Sequence, residues 1–210
     1  GWLAQVGERL GGDVVGARLL AGGASKEAWA VDLRTGGETG ALLVRRAGRL
    51  QLVELAHSGQ RRLREIPIDA RTGTTPAVIL HLEGDLNFAV APELADRLKE
   101  VAARGPEVVI LRLKRARHLD ATVLEVLRRV ATDLRSRNAA LVLCGLVEPL
   151  HSRLARTELG SVLGPEAMLP TGGRLFEGLE RALDLARRRL RPLPDTELFR
   201  NESGDDWQYK

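Results

Sequence analysis

The run Val108-Val-Ile-Leu-Arg-Leu-Lys-Arg-Ala-Arg-His-Leu-Asp-Ala-Thr-Val-Leu-Glu-Val-Leu127 decides the fold. Val108–Leu113 is apolar apart from Arg112, as expected of a strand buried on both faces of a sheet. Lys114–His118 is a short polar connector. A helix then opens behind Asp120, a residue type suited to an N-cap. Its apolar residues Val123, Leu124, Val126, Leu127, Val130, Ala131 and Leu134 recur at helical spacing. In an α/β fold such a junction presents backbone N–H groups and a helix N-terminus to whatever approaches.

The same alternation extends to both sides. Upstream, Val78–Leu82 reads as a strand and Gly84-Asp85 as a turn. Pro92 fits the first turn of a helix that runs to about Arg104, with Leu94, Leu98 and Val101 on one face. Gly105-Pro106 ends it. Downstream, Asn138 is a C-cap candidate and Ala139–Cys144 a second buried strand. Glu148–Thr157 reads as a short helix closed by Gly160, and Met168-Leu169 as a brief edge strand. Arg174–Leu190 is an amphipathic helix built on Leu175, Phe176, Leu179, Leu183 and Ala186, stopped by Pro192 and Pro194. Strands alternating with helices imply an α/β fold with a mostly parallel or mixed sheet.

Residues 1–64 read differently. A short helix over 2–10 precedes three strands, Val14–Leu20, Glu27–Leu33 and Ala41–Arg46, with glycine-rich turns between them. Arg49–Ala56 and Arg62–Ile68 suggest a further hairpin. The expected organisation is a β-rich N-terminal segment over 1–64, an α/β domain over 65–191 and a polar tail over 192–210.

Composition narrows the function classes. The 210 residues are 44% hydrophobic and 29% charged but only 3% aromatic, so the core must be built from Leu, Val and Ala. No stretch approaches the roughly 20 apolar residues that cross a bilayer, and residues 1–30, which carry acidic and polar groups along their length, do not read as a signal peptide. The chain starts at Gly1, as an excised piece of a longer protein would. Cys144, the only cysteine, permits no intrachain disulfide and lies in an apolar strand as an inert thiol. The four histidines are not at ligand spacing, so no metal is expected. The net charge of +4 gathers in arginine clusters at Arg112–Arg117 and Arg187–Arg191. Acidic residues are interspersed and no aromatics accompany the clusters, so specific nucleic-acid binding is not expected. Glu148 and His151 share a helix at i, i+3 spacing, which implies a local contact.

The ordered set from residue 65 to 190 resembles the STAS family, named for sulfate transporters and anti-sigma factor antagonists. The parts are Leu82-Glu-Gly-Asp-Leu-Asn-Phe, Val109-Ile-Leu-Arg-Leu, the Asp120-Ala-Thr loop, Leu141-Val-Leu-Cys-Gly-Leu, Leu154-Ala-Arg-Thr-Glu-Leu-Gly and Leu163-Gly-Pro-Glu. Within the family the chain is most similar to the cytoplasmic domain of sulfate permease (SulP) type anion transporters. The resemblance implies a mixed β-sheet covered by about four helices and preceded by the small β-rich segment. It also implies a non-enzymatic regulatory and protein-interaction role, in the cytoplasm or at the inner face of the membrane. The partner would be another protein or the membrane part of a transporter, and a homodimer is open. The partner-binding loop would comprise His118, Asp120, Ala121, Thr122 and Val123. Members of the antagonist class carry a phosphorylatable serine after the loop aspartate. Here that position is Ala121, which has no hydroxyl, so the antagonist role is the weaker alternative. Thr122, one residue later, would cap the helix, and Val123 replaces the usual glycine. Asp120 either caps its helix alone or caps it and also meets a partner.

Residues 1–48 carry another likeness. Leu19-Leu-Ala-Gly-Gly-Ala-Ser-Lys-Glu-Ala-Trp, followed by Ala41-Leu-Leu-Val-Arg-Arg, resembles the N-lobe of an aminoglycoside phosphotransferase-type kinase. That likeness implies a phosphate site at Gly22, Gly23, Ser25 and Arg45, and nucleotide as a cofactor of a regulator or degenerate kinase. The plainer reading of Gly22-Gly23 is a hairpin turn. His81-Leu-Glu-Gly-Asp85 does not match the kinase catalytic loop, because two residues split the motif and Val90 stands where an asparagine is required.

Overall fold

The computed structural model describes residues 2–22, 26–47, 50–57, 62–70, 75–84, 86–114, 116, 119–174, 176–190 and 208–209. The chain divides into two compact units, Gly1–Arg49 and Leu50–Lys210.

In the first unit, helix α1 (Trp2–Leu10) leads into an antiparallel meander of β1 (Asp13–Gly22), β2 (Lys26–Thr35) and β3 (Glu38–Ala47). The β2–β3 hairpin closes with Thr35 opposite Glu38. Its two loop residues, Gly36 and Gly37, have φ values of 59° and 91°. Positive φ at both loop positions matches the right-handed strand twist, and glycine adopts it without a Cβ penalty. Val31 and Leu33 of β2 are buried.

The second unit is an α/β sandwich. Its strands are β4 (Gln51–His57), β5 (Arg62–Ile66), β6 (Ala77–Glu83), β7 (Val108–Lys114), β8 (Ala140–Leu146), β9 (Met168–Pro170) and the two-residue β10 (Gln208–Tyr209). The sheet order is β10-β5-β4-β6-β7-β8-β9. Strands β6 to β9 run parallel, while β4 is antiparallel to both β5 and β6. The hairpin expected with the N-terminal segment thus extends the larger sheet, and the units part at Arg49/Leu50 rather than at 64/65. Leu52 opposite Leu82 and Glu54 opposite Leu80 hold this register, so ladder hydrogen bonds decide the membership of β4.

Helices α2 (Ala91–Ala103), α3 (Ala121–Ser136), α4 (Glu148–Leu154) and α5 (Glu158–Leu163) supply Leu94, Leu98, Leu127, Leu134, Leu150 and Leu159 to one core. On the other sheet face, α6 (Glu177–Arg189) sets Leu179, Ala182, Leu183 and Ala186 over Ile110, Val142 and Cys144. The inner strands bury both faces, which is why they read as unbroken apolar runs. Helix α3 ends as its sequence suggests, with Asn138 at φ 58°. The Asn138 N–H donates to the Arg135 carbonyl and the Ala139 N–H to the Leu134 carbonyl, the paired bonds of a Schellman end.

One helix was expected over 148–157, closed by Gly160. Two form, because Thr157 starts a new one: its side chain accepts from the Gly160 N–H at 3.2 Å and donates to the Leu154 carbonyl at 2.7 Å. Gly160 lies inside α5, where an added Cβ would run into the Leu154 carbonyl oxygen. The helix instead closes at Gly164, φ 77°. The last helix begins at Glu177 rather than Arg174, since Phe176 is left-handed at φ 71°.

Candidate functional site at the Asp120 end of the sheet

Two connections leave the C-terminal ends of neighbouring parallel strands, β6 to α2 and β7 to α3. Leu86 and Leu119 join them through a parallel bridge, and the Asp120 N–H donates to the Leu86 carbonyl at 3.0 Å. Leu86, Ala116 and Leu119 are buried, so this end is pinned to the core from below. Asp120 has extended backbone (φ −67°, ψ 152°), and its Oδ1 accepts from the Thr122 N–H at 2.8 Å. One orphan amide of α3 is thereby satisfied, and the carboxylate sits where the helix dipole favours it.

The expected loop residues separate into two kinds. Ala121 and Thr122 are exposed and Asp120 is half-buried. Thr122 was expected to cap; its amide is instead the group that Asp120 caps. Val123 is fully buried. It cannot meet a partner, because the third helical position points down toward Leu127 and the sheet. His118 lies outside the described residues. Phe88, which the sequence reading did not single out, is 68% exposed on the turn before α2. Asn87 shapes that turn by accepting from the Ala89 N–H at 2.9 Å. The one available signal was an aromatic residue, rare in this chain, within the turn before α2.

The STAS domain family model matches residues 66–181, more than half of the chain. The chain belongs to the STAS domain family. A sulfate transporter family protein from Wolinella succinogenes is similar in structure, with 24% identity, a TM-score of 0.44, and coverage of 58% of this chain and 93% of its own. The murine Solute Carrier 26 family member A9 anion transporter, inward-facing, matches at 10% identity and a TM-score of 0.49, over 67% of this chain and 22% of its own. A further structure of SLC26A9 gives 10% and 0.49, over 65% and 24%. None of the curated proteins compared matches the chain.

The STAS unit places its other chemically notable residues away from this end or in structural roles. Cys144 is buried, and burial pushes its thiol up to about 12. Arg112 lies over the Phe176 ring, 4.9 Å from the centroid. Burial pulls its guanidinium below the ordinary value, opposed by the nearby Cys144 and Glu83. Arg112 is therefore part of the α6 packing rather than of a surface patch. In the second cluster, Arg187 pairs with Asp184 at 2.6 Å and Arg189 donates to the Asn138 carbonyl. Glu148 and His151 make the expected local contact, at 3.8 Å. Among the described residues no group of His, Cys, Asp and Glu is placed to hold a metal ion. No described helix is long and apolar enough to cross a membrane.

Of the expected phosphate-site residues, Gly23 and Ser25 lie outside the described residues. Gly22 ends β1 opposite Glu27, and Arg45 stands in β3 opposite Ala28.

Proposed function

We propose that this chain is a non-enzymatic STAS regulatory module that works by protein contact, as the cytoplasmic part of a SulP-type anion transporter or of a soluble relative. The observation that carries the reading is the exposed, hydroxyl-free Ala121 directly behind the capping Asp120. A phosphate at that helix start would alter both charge and hydrogen bonding, and alanine cannot accept one. With no hydroxyl at position 121 the switch at that position is absent, which favours a constitutive surface, with Phe88 as its apolar anchor and the small Ala121 and Thr122 as its rim. Rigid support from Leu86 and Leu119 means that a partner meets a preformed shape.

The test is sulfate uptake by cells carrying the full gene with Phe88→Arg, Ala121→Arg or, as a control on the exposed side of α3, Thr132→Arg. The first two are expected to change uptake several-fold at equal membrane abundance while the control does not. Uptake unchanged in all three, or absent from the parent, would refute the transporter reading.

A further inference from the structure

A cleft at the opposite end of the STAS unit has a chemistry of its own. Strand β9 pairs with β8 only from Leu143 onward, so among the described residues Ala140–Val142 has no strand beyond it. The gap is bordered by the end of α3, by α5 with the turn after it, and by the end of α6. It is a half-open groove of about 790 Å³, within the roughly 300–1,000 Å³ of small-molecule sites. The half-buried Leu163 packs against both hydrophobic cores and Leu185 against the α6 core, and both line the wall. Arg135, Arg188 and Arg189 also line it, against one carboxylate, Glu166. Two of the arginines are held in place by backbone oxygens, Arg135 on Val162 at 3.4 Å and Arg189 on Asn138 at 3.0 Å. Arg187 is occupied by Asp184 and does not line the cleft.

We propose that this cleft binds one free fatty-acyl carboxylate, with its chain along Leu163 and Leu185 and its head on Arg135 and Arg188. The apolar side chains of Leu163 and Leu185 beside the guanidinium groups of Arg135 and Arg188 suit an anionic amphiphile: the chain leaves water, and the carboxylate takes charge-assisted hydrogen bonds. A free acyl chain fits a cleft bordered by three helix ends better than a headgroup still embedded in a bilayer. The proposal does not depend on the transporter reading, since cleft and Asp120 lie at opposite ends of the parallel strands.

The test is calorimetric titration of the whole chain with sodium dodecanoate below its micellar concentration, and in parallel with dodecanol and with phosphatidylglycerol vesicles. The expected result is saturable one-to-one binding of dodecanoate. Arg135→Gln/Arg188→Gln should weaken it at least about tenfold, equivalent to about 1.4 kcal/mol, with an unchanged melting temperature. Leu185→Asp, which sets a charged carboxylate against the apolar acyl chain, should weaken it as well. No saturable binding, dodecanol binding as tightly, an unaffected double variant, or binding of vesicles alone would each overturn the proposal.

Discussion

Arg104, at the end of α2, donates to Oε2 of Glu54 in β4 at 3.0 Å, with the two side chains only 12% and 2% exposed. The same guanidinium bonds the Ile68 carbonyl and stands 3.8 Å from Glu100. The pair fastens β4 to the far end of the helix that starts at the functional end. Removing one member leaves the other charged and poorly solvated, which is where buried ion pairs matter most. Glu54→Leu is expected to destabilise the STAS unit by about 3 kcal/mol, the low end for such pairs because Arg104 keeps its other partners. Urea unfolding measures this; a loss near zero would mean that the pair is replaceable.

Asp120→Ala removes the α3 cap and is expected to cost about 1 kcal/mol. Asp120→Asn should retain most of that stability, since its amide oxygen can accept from the same Thr122 N–H. Thermal unfolding of the two variants separates capping from any contact made by the carboxylate charge.

The side-chain hydrogen bonds of Arg128 and Arg129 hold the Glu125 carboxyl down at about 2, against an ordinary value of 4.5. A depressed folded-state value adds stability above the unfolded value, lost as pH falls through the folded one. Glu125→Gln is therefore expected to melt below the parent at pH 7, with the gap narrowing below about 4.5 and closing near 2. A gap independent of pH would show that packing, not charge, was lost.

With its thiol raised to about 12 by burial, Cys144 is expected to resist iodoacetamide in the native protein at pH 8 and to react fully in urea. Rapid native labelling would contradict its place between β7, β9 and α6.

Much of this molecule was legible because its signals are local. Asp120 before an apolar helical stripe, Pro92 in a first turn, Asn138 after a last one and the apolar runs of β7 and β8 each fix their element without distant help. What escaped depends on distant partners. Nothing in Gln51–His57 says that it pairs with Ala77–Glu83 rather than with β3. Gly160 looks like a helix stop because glycine often is one, whereas here its missing Cβ makes room for the Leu154 carbonyl. At the candidate site, sequence order grouped Val123 with Ala121 and Thr122, but the helical turn sends it into the core. Phe88 joins the surface only through the Leu86–Leu119 bridge, which spans two connections far apart in the chain.

The most direct test of a partner surface at the Asp120 end is site-specific photo-crosslinking in cells that express the full gene. A benzophenone side chain is placed at Ala121 in one protein and at Thr132 in another, both exposed on α3. The expected result is one discrete protein adduct from position 121, lost on Phe88→Arg, and none from 132. Equal labelling from both positions, or an adduct indifferent to Phe88, would contradict the account.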